Sequence, residues 1–208
     1  ADCDYDDMLN TTVRSSFANQ GQICLCGSRI FVEETIYEKF KADFVEKVKS
    51  LKVGHPSEID TNIGALVSKP HLEKVKSYIK IAKEEGATIL CGGNEVTVKG
   101  YENGYYLQPT IIEVKTDDCR VNQEEIFGPV VTIMPFKTED DVLNMANKVK
   151  YGLSATLWTN NLKRTMRLSN QLQAGIVWVN TWMMRDLRTP FGGVKASGVG
   201  REGGFEAL

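Results

Sequence analysis

A cysteine presented on a turn is the first residue in this chain that could do chemistry. In Phe17-Ala18-Asn19-Gln20-Gly21-Gln22-Ile23-Cys24, helix-forming sequence breaks at Gly21 and leaves Cys24 between a helix-like and a strand-like stretch. A free thiol has a pKa of about 8.5, so a useful nucleophile needs a polarising environment. Attack on a carbonyl carbon creates a tetrahedral oxyanion, which requires donors already aimed at it. The backbone N–H of Cys24 and the side-chain amide of Asn19 are donors of that type. Taken alone, an isolated cysteine is more often a small buried hydrophobe than a catalyst.

Two arginines form the second chemical feature. Arg185 and Arg188 lie in Asn180-Thr181-Trp182-Met183-Met184-Arg185-Asp186-Leu187-Arg188-Thr189-Pro190. A guanidinium fork suits a carboxylate because it makes paired, charge-assisted hydrogen bonds. The competing reading pairs either arginine with Asp186 as a local bridge.

Other motifs carry less. Cys24-Leu25-Cys26 is a CxC, not the CxxC of a redox pair or zinc knuckle, and Cys26 reads as a packed neighbour. With histidine only at His55 and His71, and no second ligand pair at metal spacing, a metal site is not expected. Gly198-Val199-Gly200-Arg201-Glu202-Gly203 fits GxGxxG, but only five residues follow it. The dinucleotide fingerprint needs a preceding strand, a following helix and a later acidic residue, so it is rejected. Asn10-Thr11-Thr12 is a glycosylation sequon on an expected helix and carries no weight.

The elements that must position these residues alternate between helix and strand. From Glu34 to Leu51, Phe40, Phe44, Val48 and Leu51 recur at steps of three and four, as one buried helix face does. A second such helix is expected from Pro70 to Glu85, with Leu72, Val75, Ile79 and Ala82 inside and Gly86 as its stop. An N-terminal helix runs from Asp6 toward Phe17. Thr138 with Asp141 reads as a capping box for a helix through Lys148, and another helix spans Leu162 to Leu172. Strands are expected at 30–32, 88–91, 106–112, 130–136, 155–158 and 176–179, with 94–103 a polar surface excursion. The pattern predicts an α/β fold, a twisted and mostly parallel open sheet flanked by helices, in a single catalytic domain over 1–208.

Bulk properties agree with an ordinary globular domain. The 208 residues are 42% hydrophobic and 25% charged, with a net charge of −2. That balance gives no general attraction to nucleic acid or anionic membrane. No apolar run approaches the ~20 residues of a membrane helix. An odd set of five cysteines fits reduced thiols and a cytoplasmic location. Both ends read as the interior of a longer protein.

Three segments in order then carry a family resemblance. FANQGQIC at 17–24 resembles the active-site cysteine signature of the NAD(P)-dependent aldehyde dehydrogenase superfamily. Gln123-Glu124-Glu125-Ile126-Phe127-Gly128-Pro129 is similar to its EEIFGP segment, and Pro190 to Gly198 to its PFGG-x-K-x-SG segment. Gly64 to Ser68 and Tyr151-Gly152-Leu153 extend the resemblance. The NTW-x-x-RDLRTPFGG run and FANQGQICLC look like the branch acting on 2-aminomuconic or 2-hydroxymuconic 6-semialdehyde, which implies an anchor for the far-end carboxylate, Arg185 as first choice and Arg188 as second.

The resemblance implies roles. Cys24 is the nucleophile, passing through a thiohemiacetal and a thioester, and Asn180 helps shape the pocket. Glu125 binds the nicotinamide ribose hydroxyls and Phe127 packs beside the nicotinamide ring. His71 and Lys74 approach the adenosine side of the cofactor; otherwise they belong to a solvated helix face. NAD, rather than NADP, is inherited from the branch. The family's dinucleotide-binding domain, its general-base glutamate and its C-terminal oligomerisation strand lie outside these residues. The isolated fragment is therefore expected to be inactive, and the full-length protein a homodimer or tetramer. A thiol hydrolase needs a base near Cys24 that neither histidine suggests. A catalytically inactive interaction fragment is disfavoured by the intact Cys24, Asn19, Glu125 and Phe127.

Overall fold

The computed structural model describes residues 2–207. The chain forms two compact units, Thr12–Pro135 and the residues up to Thr11 together with those from Phe136 onward.

The first unit is built around a four-stranded sheet. Helix α1 (Tyr5–Phe17) enters it and ends in a 3₁₀ turn, Ala18–Gly21. Strand β1 (Arg29–Glu33) and helix α2 (Tyr37–Lys49) follow, the helix burying Tyr37, Phe40, Phe44 and Val48 on one face. Phe44 stacks on both Phe40 and Phe17, so the same apolar cluster that seats α2 also fixes the end of α1. Helix α3 (Lys69–Glu84) buries Leu72, Val75, Ile79 and Ala82, as the periodicity predicts. Ser68 caps it by accepting the His71 backbone N–H, and Gly86 follows its end at φ +79°.

Strands β2 (Thr88–Cys91), β3 (Glu95–Val96), β4 (Tyr106–Leu107) and β5 (Thr110–Glu113) come next. The short helix α4 (Arg120–Gln123) and strand β6 (Val130–Phe136) complete the set. The sheet order is β1-β6-β5-β2. β5 and β6 are parallel, with Thr110 opposite Val130 and Glu113 opposite Ile133, while β2 joins β5 antiparallel. The sheet core (Ile111, Ile112, Val131, Ile133) is buried.

Two local expectations change. The polar stretch 94–103 is not wholly an excursion, because Glu95–Val96 pairs with Tyr106–Leu107. The strand expected over 106–112 is two strands, broken at Gln108-Pro109, where proline lacks the N–H a ladder needs.

The second unit holds helix α5 (Glu139–Lys148), β7 (Tyr151–Gly152), β8 (Ser154–Leu157), α6 (Leu162–Gln171), β9 (Ile176–Val179) and β10 (Val194–Lys195). The capping box at Thr138 and Asp141 forms in both directions. β8 and β9 run parallel, a βαβ unit closed through α6. The glycine-rich run after Pro190 contains a short strand, since Val194 and Lys195 pair with Gly152 and Tyr151. The GxGxxG stretch is followed only by a 3₁₀ turn, Phe205–Ala207. No helix among the described residues is long and apolar enough to cross a membrane.

Candidate active site

Cys24 sits at the tip of a turn that closes with the Cys26 N–H donating to the Ile23 carbonyl at 2.9 Å. Its neighbours explain its exposure: Leu25 is buried and anchors the turn, while Cys24 is exposed. The Cys24 backbone N–H meets no acceptor among the described residues. Cys26 is a different thiol. Burial pushes it up to about 11, so it stays protonated at neutral pH. Its Sγ lies 3.8 Å from the Ala18 carbonyl oxygen, as a packed neighbour should.

The turn is reached through an unusual backbone. Asn19 (φ 49°), Gln20 (φ 59°) and Gly21 (φ 68°) are three consecutive residues in the left-handed region. Such conformations cost roughly 1–2 kcal/mol per non-glycine residue and persist only when neighbours hold them. Here the neighbours are side-chain amides. The Gln20 amide oxygen accepts the Gly64 N–H at 2.8 Å, and its nitrogen donates to Asn19 Oδ1 at 3.1 Å. Asn19 Nδ2 donates to the Gln22 carbonyl at 3.2 Å, and Gln22 Oε1 accepts the Val67 N–H at 3.2 Å. The segment 64–67 is thus a brace for the cysteine turn. Asn19 spends one N–H on that brace, leaving the second N–H of its amide for other use. Gln20 and Gln22 were missed in the sequence, where only their adjacency to Gly21 and Cys24 signalled a role.

Gly21 is required twice over. Its φ is positive, and a Cβ there would collide with the carbonyl oxygen and carbon of Gly128. Gly128 in turn lies against Val75 of α3, where a Cβ would sit 2.7 Å from Cγ2. Gly21 therefore lets the cysteine turn meet the 124–128 loop backbone to backbone, and Gly128 lets the Val75 side chain of α3 close against that loop.

The loop 124–128 alternates inward and outward. Ile126 is buried, while Glu125 and Phe127 are exposed, Phe127 at 37% and φ 61°. One stripe of α3 grips it. His71 Nε2 lies 2.6 Å from the Phe127 carbonyl oxygen, Lys74 Nζ donates to the Glu125 carbonyl at 3.2 Å, and Tyr78 donates its hydroxyl to Glu124 Oε2 at 2.8 Å. With Val75 against Gly128, these are positions i, i+3, i+4 and i+7 of a helix. His71 and Lys74, expected near the cofactor's adenosine, are here engaged with the loop's backbone. Glu124 also takes a two-pronged contact from Arg120, at 2.7 and 3.1 Å, so it is structural. The Glu125 carboxylate has no partner among the described residues. A carboxylate with both oxygens open, beside an exposed aromatic face, fits the diol and flat ring of a nucleotide sugar and nicotinamide.

Beneath the site, Thr132 of β6 donates its hydroxyl to Asn122 Oδ1 at 2.6 Å, and its N–H to the Ser28 carbonyl at 2.9 Å. Asn122 and Thr132 are both 2% exposed, so this tie from β6 to the residue before β1 is a buried polar network.

In the other unit, Asn180 is held at φ 52°. Its Oδ1 accepts the Thr159 N–H and its Nδ2 donates to the Thr159 carbonyl, each at 2.9 Å. It thereby ties together the ends of β8 and β9, where the arginine loop begins. Arg185 lies over the Phe191 ring, 4.5 Å from its centroid, in a cation–π contact. Arg188 makes a forked pair with Asp186, with Nε at 2.9 and 3.0 Å. The local-bridge reading therefore describes Arg188, not Arg185. Lys195 donates to the carbonyls of Asn147, in the last turn of α5, and of Val149, just past it, so the lysine of PFGG-x-K is a helix-end cap. Among the described residues no group of three or more His, Cys, Asp or Glu could hold a metal ion.

Comparison with known proteins fits this geometry. The profile of the Aldehyde dehydrogenase family matches residues 1–208, and the chain belongs to that family. It is 50% identical to the 2-aminomuconic 6-semialdehyde dehydrogenase of a Pseudomonas species, covering 100% of this chain and 43% of that protein. It is 45% identical to the 2-hydroxymuconic semialdehyde dehydrogenase of Pseudomonas putida, with the same coverage. Among solved structures, a betaine aldehyde dehydrogenase point mutant from Staphylococcus aureus in complex with NAD+ superposes with a TM-score of 0.96 at 36% identity. That match covers 99% of this chain and 42% of the other. The NAD+ complex of an aldehyde dehydrogenase from Bacillus cereus gives a TM-score of 0.94 at 40% identity, covering 100% and 41%. The chain spans less than half the length of these relatives.

Proposed function

We propose that this chain carries the nucleophile and the nicotinamide-side residues of an NAD-dependent enzyme that oxidises a carboxylate-bearing semialdehyde, 2-aminomuconic or 2-hydroxymuconic 6-semialdehyde, to the acid. The observation that carries this reading is the exposed Cys24, on a braced turn packed through Gly21 against the loop that presents Glu125 and Phe127. The thiolate adds to the aldehyde carbon, and the oxyanion takes hydrogen bonds from the Cys24 N–H and the Asn19 amide. Bound NAD+ supplies the hydride acceptor. The loss of hydride leaves a thioester on Sγ, and water releases the acid and restores the thiol. Glu125 holds the ribose hydroxyls, Phe127 flanks the nicotinamide, and Asn180 maintains the substrate loop.

Arg185 binds the distant carboxylate. Its guanidinium rests on an aromatic face, which leaves its donors unspent, whereas those of Arg188 are turned to Asp186. Dehydrogenases for neutral or cationic aldehydes are the second reading, favoured by the likeness to a betaine aldehyde dehydrogenase.

The test is NADH formation by the full-length protein with 2-hydroxymuconic semialdehyde and with benzaldehyde. A kcat/KM preference of tenfold or more for the semialdehyde supports the substrate assignment. Equal values remove it and leave the aldehyde chemistry in place, and no NADH with either removes both.

A further inference from the structure

We infer that His71 is a positioning residue for the nicotinamide side of the cofactor site, acting through the backbone of Phe127. This rests on the NAD reading above. Phe127 combines an exposed ring with φ 61°, a conformation an aromatic residue does not keep unaided. His71 opposes its relaxation from two directions. Its Nε2 lies 2.6 Å from the Phe127 carbonyl oxygen, and its ring packs edge-on to the Phe127 ring with centroids 6.4 Å apart. A carbonyl only accepts, so Nε2 carries the proton.

The histidine is itself pinned. Its backbone N–H is taken by Ser68 Oγ in the first turn of α3. Its partner peptide is bounded by buried Ile126 on one side and by Gly128, seated on Val75, on the other. Lys74 holds the Glu125 carbonyl from an exposed, flexible side chain, so His71 is the stiffer of the two grips. One imidazole thus holds Phe127 both at its carbonyl and at its ring.

The experiment measures NAD+ binding to the full-length protein by calorimetry, alongside thermal unfolding, for wild type, His71→Ala, His71→Phe and His71→Gln. The expected result is a Kd for NAD+ raised roughly tenfold in the alanine and phenylalanine variants, the size of one lost hydrogen bond. Glutamine, which keeps an N–H donor, restores binding to within about threefold. A merely structural histidine lowers the unfolding temperature but leaves the Kd within twofold, and that outcome overturns the inference. Should the alanine variant not fold, the phenylalanine variant decides: wild-type affinity there means the hydrogen bond is not needed. Wild-type protein that binds no NAD+ removes the cofactor reading itself, and a tight wild type with an indifferent His71 removes only this inference.

Discussion

Gly21 and Gly128 meet backbone to backbone, with no room for a methyl group between the turn that carries Cys24 and the loop that carries Glu125 and Phe127. The cysteine proposed as nucleophile and the residues proposed for the cofactor are thus brought together by main-chain packing. Gly21→Ala adds both a clash and an unfavourable φ, neither of which a rotamer change relieves. It is expected to cost about 3 kcal/mol or more of stability. Chemical denaturation checks this, and a loss below 1 kcal/mol shows that the turn can move aside.

The thiols should separate by reactivity. Cys24 is exposed, Cys91 and Cys119 are buried, and burial holds the Cys26 thiol near 11. Brief iodoacetamide treatment at neutral pH followed by peptide mapping should label Cys24 ahead of Cys26. In Cys24→Ala, labelling of Cys26 should climb only as the pH approaches 11, because the thiolate is the reacting form. Rapid Cys26 labelling at neutral pH contradicts the assignment. The same Cys24→Ala variant should lose at least ~10³-fold in aldehyde oxidation, as expected when a covalent nucleophile is removed.

Substrate choice is tested at the arginines. Arg185→Ala in the full-length protein should reduce kcat/KM for the semialdehyde by about 2 kcal/mol while sparing benzaldehyde. Arg188→Ala, whose guanidinium already pairs with Asp186, should cost much less. Equal damage to both substrates by Arg185→Ala makes that residue structural.

Much of this arrangement was legible in the sequence, and the reasons for the rest are physical. The faces of α2 and α3 follow from Phe40, Phe44 and Val48 and from Leu72, Val75 and Ile79, because burial imposes a period of 3.6. The Thr138 and Asp141 box forms because its bonds are local. β3 and the pairing of β7 with β10 were hidden, since two-residue strands carry no period and their partners lie far along the chain. The grips of His71 and Lys74 were hidden for another reason: their targets are carbonyl oxygens, which every residue has. The left-handed Phe127 was likewise invisible, since no residue type announces it.

Acid should expose an ion pair remote from the chemistry. Glu113 accepts from Tyr37 at 2.7 Å and from Lys41 at 2.9 Å. Burial raises its pKa, but the two hydrogen bonds outweigh that and hold it below the ordinary carboxylate value. A lowered folded-state pKa adds stability above the unfolded value, and that stability is lost as pH falls through the folded one. Glu113→Gln should therefore be less stable than wild type by about 1–2 kcal/mol at pH 7. The gap should close below about pH 4, where unfolded and then folded Glu113 take up protons. A gap that does not change with pH assigns the loss to packing.

The close stacking of the cysteine turn, the 124–128 loop and α3 bears on how such a site tolerates motion. Side chains hop between rotamers, but stacked main chain can shift only as a block. The spacing from the Cys24 backbone to the loop is therefore set by main-chain packing, as in a machined part, and rotamer changes of individual side chains leave it nearly constant. Inherited variation can then alter the exposed side chains around Cys24 without having to recalibrate where the turn itself stands.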